Sequence, residues 1–302
     1  MAYKISLFGY SGSGKTRLFE TLTGRESAGK QYFQPVEAAG LYADSRLHEI
    51  SAISQAEKIV RSSCFIFRDA PGFPREAGFP KQYFSGFMDA DIICCVVNNF
   101  EDSANPLADA RSLLMEMQFH DTEVMEKLRD TGKLSHFERE RLDKAVESLA
   151  GEAQLRDLPP EEMDLLRGKG LLTLKEIIYF FNGMPGAGKG GPERAVKQQA
   201  SDPSQEELYR LVKDSLGLIS FFTVKGDISQ EWVIPGCWTA REAAAKIHRD
   251  IGRCFIRAVA VPAAEFIKAG SWEKAKKSGL VRILGPCDII SEGDIVEFLC
   301  SK

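Results

Sequence analysis

A chain of 302 residues with 39 Lys and Arg against 43 Asp and Glu has a formal net charge of −4. It has no overall pull toward nucleic acid, so any RNA contact must come from a local patch. Its 44% hydrophobic and 27% charged residues are those of a soluble protein with room for two or three domains. No apolar run approaches the ~20 residues of a membrane span and no secretory pattern opens the chain, so a cytoplasmic protein is expected. Seven cysteines lack a ligand-like spacing and read as buried core residues of a reducing compartment.

In chain order, "YKISLFGY" is an apolar strand running into a glycine loop, and "TRLFETLTG" reads as a helix ending at Gly24. "CFIFRDAPG" and "DIICCVVNNF" are further strands, and such apolar runs suit a parallel sheet covered on both faces. Asn105-Pro106 starts a helix with a capping side chain and proline at its first position. Leu107, Ala110, Leu114, Met117, Val124 and Leu128 recur at three- and four-residue steps, interrupted by Asp121. A second helix returns with Leu142, Ala145 and Leu149 on one side, giving an antiparallel, coiled-coil-like hairpin. "LPPEEMDLLRGKG" adds a short helix, and "LLTLKEIIYFFN" restores strand character. From residue 218 two strands precede a Thr239–Glu242 capping box and helix, then further short elements, so a small sheet wrapped around one helix is expected.

The loop Gly9-Tyr-Ser-Gly-Ser-Gly14-Lys15-Thr16 has the full G-x-x-x-x-G-K-[ST] pattern, with strand before and helix after. Glycines let the backbone N–H groups from Gly12 to Lys15 curl around phosphate oxygens, and the helix directs its positive end at the anion. Ser11, Gly12, Ser13, Gly14, Lys15 and Thr16 are the candidate nucleotide contacts. Lys15 suits the β- and γ-phosphates, and the Thr16 hydroxyl suits Mg2+. A strand ending in Asp69-Ala-Pro-Gly72 supplies the second element: Asp69 for the metal and the Gly72 N–H as a γ-phosphate sensor. Phe73 follows, where Ras-like GTPases place a water-orienting glutamine, so no catalytic residue is assigned.

Together, "GYSGSGKTRLFETLTG", "DAPGF", "LLTLKEIIYFFN", "CWTAREAAAKIHRDIGRCFIRAVAV" and "DIISEGDIVEFL" resemble the Obg-like ATPases of the YchF type, in matching order over nearly the whole chain. The resemblance implies an α/β fold: a P-loop NTPase parallel sheet with an inserted helical hairpin and a C-terminal β-grasp (TGS-like) domain. The implied domains are 1–100 with 172–217, 101–171, and 218–302. It also implies ATP preferred over GTP, a hydrophobic residue for the catalytic glutamine, and association with ribosomes. Two departures stand out. Pro35 falls near the place of a first-switch threonine and brings neither hydroxyl nor N–H. The second switch, "FPREAGFPKQYF", is shorter and less glycine-rich than the family's.

A second G-x-x-x-x-G-K spacing occurs in "GMPGAGKGG". The resemblance places Asn182 at the start of the base-reading motif, but its fourth position is Pro185, which offers no carboxylate to a purine. Gly190 stands where a magnesium-binding hydroxyl is required, so this segment reads as a glycine-rich loop and not a second phosphate site. The last strand of the sheet is expected to be missing. His248 reads as structural, and Lys274, Lys276 and Lys277 beside Trp272 as a solvated helix face, or a spot for RNA. Two functions stay open: a weak, partner-stimulated ATPase or GTPase, and a nucleotide-binding module that does not hydrolyse. Oligomeric state is not legible.

Overall fold

The run Ile92–Asn99 has all eight residues buried, which only the middle of a sheet covered on both faces permits. The computed structural model describes residues 2–27, 35–42, 44–62, 64–75, 78–100, 105–131, 134–150, 155–183, 195–197 and 203–301. Among them the chain forms two compact units: Met1–Gly40 with Cys64–Leu211, and Leu41–Ser63 with Val212–Lys302. The expected block 1–100 is therefore interrupted, because residues 41–63 pack with the C-terminal region.

In the first unit, β1 (Tyr3–Phe8), β2 (Val36–Ala39), β4 (Phe65–Asp69), β5 (Ile92–Asn99), β6 (Glu176–Gly183) and β7 (Ala195–Lys197) lie in the order β2-β4-β1-β5-β6-β7. All pairs are parallel except β2, which runs antiparallel to β4. The register sets Leu7 beside Asp69 and Asn98 beside Asn182, so the carboxyl ends of β1, β4, β5 and β6 gather at one edge. In open α/β sheets that edge is where ligands bind. The last strand, expected to be missing, is present as three residues of β7 pairing with Tyr179–Phe181. Helix α1 (Lys15–Thr23) follows β1 after the glycine loop, and α6 (Pro203–Ser215) comes after β7 in the chain.

The hairpin is built from α3 (Pro106–Asp130), about 37 Å long at 1.5 Å per residue, and α4 (His136–Ala150). The Asn105 side chain caps α3 by accepting from the Ala108 N–H at 3.2 Å. Leu142, Ala145 and Leu149 are buried as their spacing requires, and they pack with Met125, with Leu155, and with Leu166 of α5 (Pro160–Leu166). The buried stripe of α3 is Ala110, Leu113, Met117, Asp121 and Met125; the expected Leu107, Leu114, Val124 and Leu128 are only partly buried beside it.

Asp121 is thus on the seam and fully buried. Its carboxylate accepts the N–H groups of Leu172 and Thr173 and the Thr173 hydroxyl, each at 2.7 Å. It ties the middle of α3 to the turn that leads into β6. A buried carboxylate survives there because these donors replace its water.

The second unit is a sheet in the order β11-β10-β12-β8-β9-β3. Its strands are β3 (Lys58–Val60), β8 (Leu218–Lys225), β9 (Ile228–Pro235), β10 (Phe255–Pro262), β11 (Arg282–Leu284) and β12 (Asp294–Cys300). Phe221 and Phe222 are neighbours on β8, point to opposite faces, and are both fully buried, so both faces must be covered. One face is covered by α7 (Ala240–Ile247), whose Ala240, Ala243 and Ala244 lie against Phe221 and Val296. The expected capping box holds it: Thr239 N–H donates to Glu242 Oε2 at 2.7 Å, and Thr239 Oγ1 accepts the Glu242 N–H at 3.3 Å.

The other face is covered by α2 (Ser45–Ser54), α9 (Ala263–Ala269) and α10 (Trp272–Lys277), with Leu47, Ile50, Phe266 and Phe222 in contact. The expectation of one helix in a small sheet therefore falls short by a whole layer. Arg46 fixes α2 by pairing with Asp44 at 2.6 Å and with Glu292, which also accepts the Ser220 N–H at 2.7 Å. Burial raises Asp44, and the Arg46 bonds outweigh it to hold the carboxyl below its ordinary value. His248 caps α8 (Arg249–Arg253) through Nδ1, a structural role. Cys64, Cys94 and Cys95 are buried, whereas Cys237, Cys254, Cys287 and Cys300 are exposed, which corrects the expectation of an all-buried set.

Replacing Asp121 by alanine strands three buried donors and is expected to cost about 3 kcal/mol of stability, read by thermal and urea unfolding. A loss below about 0.5 kcal/mol would show that the carboxylate is not the tie.

Candidate nucleotide site

The loop from Gly9 to Thr16 leaves β1 at the carboxyl edge of the sheet and enters α1 without a side-chain cap. Gly12 and Gly14 have φ of 80° and 87°, the left-handed region that side chains resist. A Cβ at Gly9 would lie 2.4 Å from the Val96 carbonyl oxygen, so β5 presses directly on the loop. A Cβ at Gly14 would lie 2.0 Å from Asn182 Nδ2. That amide donates to the Ser13 carbonyl at 3.0 Å, holding the loop from the end of β6. Gly14 occupies the N-cap of α1, so no side-chain oxygen competes with an anion at the positive end of the helix.

Lys15 is nearly buried, and its Nζ donates to the carbonyls of Gly9 and Tyr10, each at 2.8 Å. Its ammonium therefore curls over the loop's own backbone. The Asp69–Gly72 turn closes on the same place: a Cβ at Gly72 would meet Lys15 Nζ at 2.7 Å and Ser11 Cα at 2.9 Å. The Ser11 N–H donates to the Phe73 carbonyl at 2.9 Å. Ser11, assigned above to the nucleotide, thus spends its backbone donor on the switch segment. Phe73 is buried among Phe79 and Tyr83, with ring centroids 5.8 and 5.2 Å away. Its side chain is packed in the core, as its apolar character requires.

Asp69 is fully buried at the end of β4, and the Ser27 hydroxyl donates to its Oδ2 at 3.0 Å. Ser27 was not legible as a site residue, because the segment after α1 carries no motif to mark it. Thr16 lies partly exposed in the first turn of α1. Hydroxyl and carboxylate oxygens are the hard donors Mg2+ takes, with phosphate and water completing its shell, so the donor set fits that ion. Among the described residues no cluster of three His, Cys, Asp or Glu side chains offers an all-protein metal site. Pro35 precedes β2, whose first residue Val36 pairs with Asp69, so the proline stands beside the switch strand with no hydroxyl to offer.

The structure thus brings Ser11, Gly12, Ser13, Gly14, Lys15, Gly72 and Asn182 into one cluster at the sheet edge. The second glycine-lysine segment, with Pro185 and Gly190, lies outside the described residues. Lys276 Nζ sits 5.6 Å over the Trp272 ring, and that partly buried ring packs against the core residue Phe266 at 5.7 Å. No helix among the described residues is long and apolar enough to cross a membrane.

Residues 218–301 match the family model YchF-GTPase_C, described as a protein of unknown function (DUF933). Over the full length the chain is similar to the "Ribosome-binding ATPase YchF" of Bacillus subtilis (strain 168), 26% identical over 363 positions and covering 99% of each chain. The protein of the same name from Escherichia coli O157:H7 is 26% identical over 361 positions, again covering 99% of each. These alignments have more positions than this chain has residues, so the relatives carry segments it lacks. Among solved structures, the Schizosaccharomyces pombe YchF GTPase shares the fold with a TM-score of 0.72 at 18% identity, covering 98% of this chain and 97% of that one. A GTP binding protein from Pyrococcus horikoshii OT3 follows with a TM-score of 0.52 at 15% identity, covering 99% and 100%. Fold, loop geometry and full-length similarity point the same way: the chain is similar over nearly its whole length to the YchF-type proteins, and its residues 218–301 match their C-terminal family model.

Proposed function

We propose that this protein binds ATP or GTP with Mg2+ on the Gly9–Thr16 loop, hydrolyses it slowly, and works with ribosomes in the cytoplasm. The observation that carries the reading is the cradle itself: two left-handed glycines, an uncapped helix start and the Lys15 ammonium converge on one point. Backbone amides of the loop bind the β-phosphate, and Lys15 exchanges its two carbonyl partners for phosphate oxygens. Thr16 and Asp69 are the residues that hold Mg2+, which when bound neutralises phosphate charge. Gly72 is the γ-phosphate sensor, and its switch segment already rests on Ser11. We read the second unit, with α7 packed on one face of its sheet, as a TGS-like module and as the part that engages a ribosomal partner.

A second reading, a nucleotide-binding module without turnover, is favoured by one observation. Phe73 is locked in an aromatic cluster, so the position that orients water in related enzymes contributes nothing to it. The ATPase reading takes precedence because the relatives named as ATPases align over the whole chain.

Calorimetry with Mg-ATP, Mg-GTP and Mg-ADP, followed by phosphate release with and without ribosomes, separates the two readings. Turnover stimulated by ribosomes is expected; binding with no release under either condition would favour the second reading. Lys15→Ala is expected to weaken triphosphate binding by at least about 100-fold, roughly 2.7 kcal/mol. An unchanged affinity would reject both. Asn182→Ala is expected to weaken ATP and GTP by the same factor of about five, because its amide bonds a loop carbonyl, worth about 1 kcal/mol. A change confined to one nucleotide would make Asn182 a base reader instead.

A further inference from the structure

The segment after Gly72 does more than rest on the loop. Phe73 turns inward, and Pro74 and Arg75 then line a cavity of about 300 Å3 with Tyr10, Gly12 and Ser13 of the loop and with Asp109 at the start of α3. The Arg75 guanidinium is half exposed and makes an ion pair with Asp109, a carboxylate that is itself only 9% exposed. It also lies 5.8 Å from the centre of the Tyr10 ring. Burial pushes the Asp109 carboxyl up, and the pairing with Arg75 only partly opposes this. Arg75 is therefore held at the rim of the phosphate loop by a partner that is costly to keep ionised, with an open cavity between it and Gly12.

We infer that Arg75 is a catalytic arginine on a latch: Asp109 parks it beside the loop, and a bound triphosphate draws it across the cavity onto the γ-phosphate oxygens. The inference rests on the nucleotide reading above and adds a group to it. In the hydrolysis, a bond forms from the water oxygen to the γ-phosphorus and the bond to the β–γ bridging oxygen breaks. The bonding pair leaves with the nucleoside diphosphate, and the water's proton passes to phosphate or solvent. Arg75 contributes its planar, fork-shaped set of N–H donors, which matches the oxygens of a phosphoryl group. It stabilises charge on the transferring group, and it does so from the same switch segment in which Phe73 cannot position water. Asp109 is a positioning residue that competes with the ligand for Arg75.

The test compares Kd for the non-hydrolysable imido analogue of ATP with that for ADP, both with Mg2+, in the full chain and in Arg75→Ala, Arg75→Lys and Asp109→Asn. Arg75→Ala is expected to weaken the triphosphate analogue about tenfold while ADP stays within about twofold; Arg75→Lys keeps part of the preference. Asp109→Asn is expected to strengthen the analogue several-fold, because the arginine is released. Wherever turnover is measurable, single-turnover phosphate release falls at least about 100-fold in Arg75→Ala. Equal effects of Arg75→Ala on both ligands, or none, would overturn the inference, since a merely structural ion pair has no reason to sense the γ-phosphate. Circular dichroism melts of the variants exclude misfolding as the cause. If the wild type binds neither ligand, the nucleotide reading itself has failed, a result distinct from loss of the analogue-over-ADP difference.

Discussion

The structure depends on one close approach: the backbone of Gly9–Thr16 is pinned between the Val96 carbonyl of β5 and the Asn182 amide of β6. No side chain can fit at Gly9 or Gly14 without moving one of these neighbours, so the loop's shape is fixed by the sheet and not by the loop itself. That is the condition for binding an anion through main-chain amides, because donors already aligned need no reorganisation when phosphate arrives. The parallel order of β1, β5 and β6 brings the loop and its two anchoring points to the same edge.

A second set of contacts joins this loop to the body of the first unit. Tyr10 stacks on Phe79 at 5.5 Å, and Phe79 touches Phe8 at 4.7 Å and Phe73 at 5.8 Å. These rings form one cluster with Leu113 and Met117 of α3. In this close packing the Asp69–Gly72 turn, the phosphate loop and α3 share one core. The aromatic residues around position 73 therefore also pack the phosphate loop against the hairpin. Arg75 and Asp109 bridge the same two elements by charge.

The phosphate loop, the D-x-x-G turn, the strand runs and the helix caps were legible because each is a local pattern. Glycine spacing, capping residues and unbroken apolar stretches report on their own neighbourhood. What escaped was non-local. Asp121 looked like a break in the apolar seam because its three donors lie some fifty residues away at Leu172 and Thr173. Residues 41–63 looked like part of the first unit because their packing against Phe222 and Phe266 leaves only modest apolar spacing in the sequence. One clue was present, the pair Phe221–Phe222, which demands cover on both faces of a strand. Ser27 and the Arg75–Asp109 pair joined the site through contacts that no motif encodes. The three-residue β7 was too short to leave a pattern.

The most direct test of the central claim is a crystal structure of the protein with Mg2+ and a non-hydrolysable triphosphate. The expected result is density for the β-phosphate within hydrogen-bonding distance of the backbone nitrogens of residues 12–16. Gly9 would still lie against Val96, and Asn182 would still be bonded to the loop. A saturated crystal with no phosphate in that loop, or with the triphosphate held elsewhere, would contradict the account.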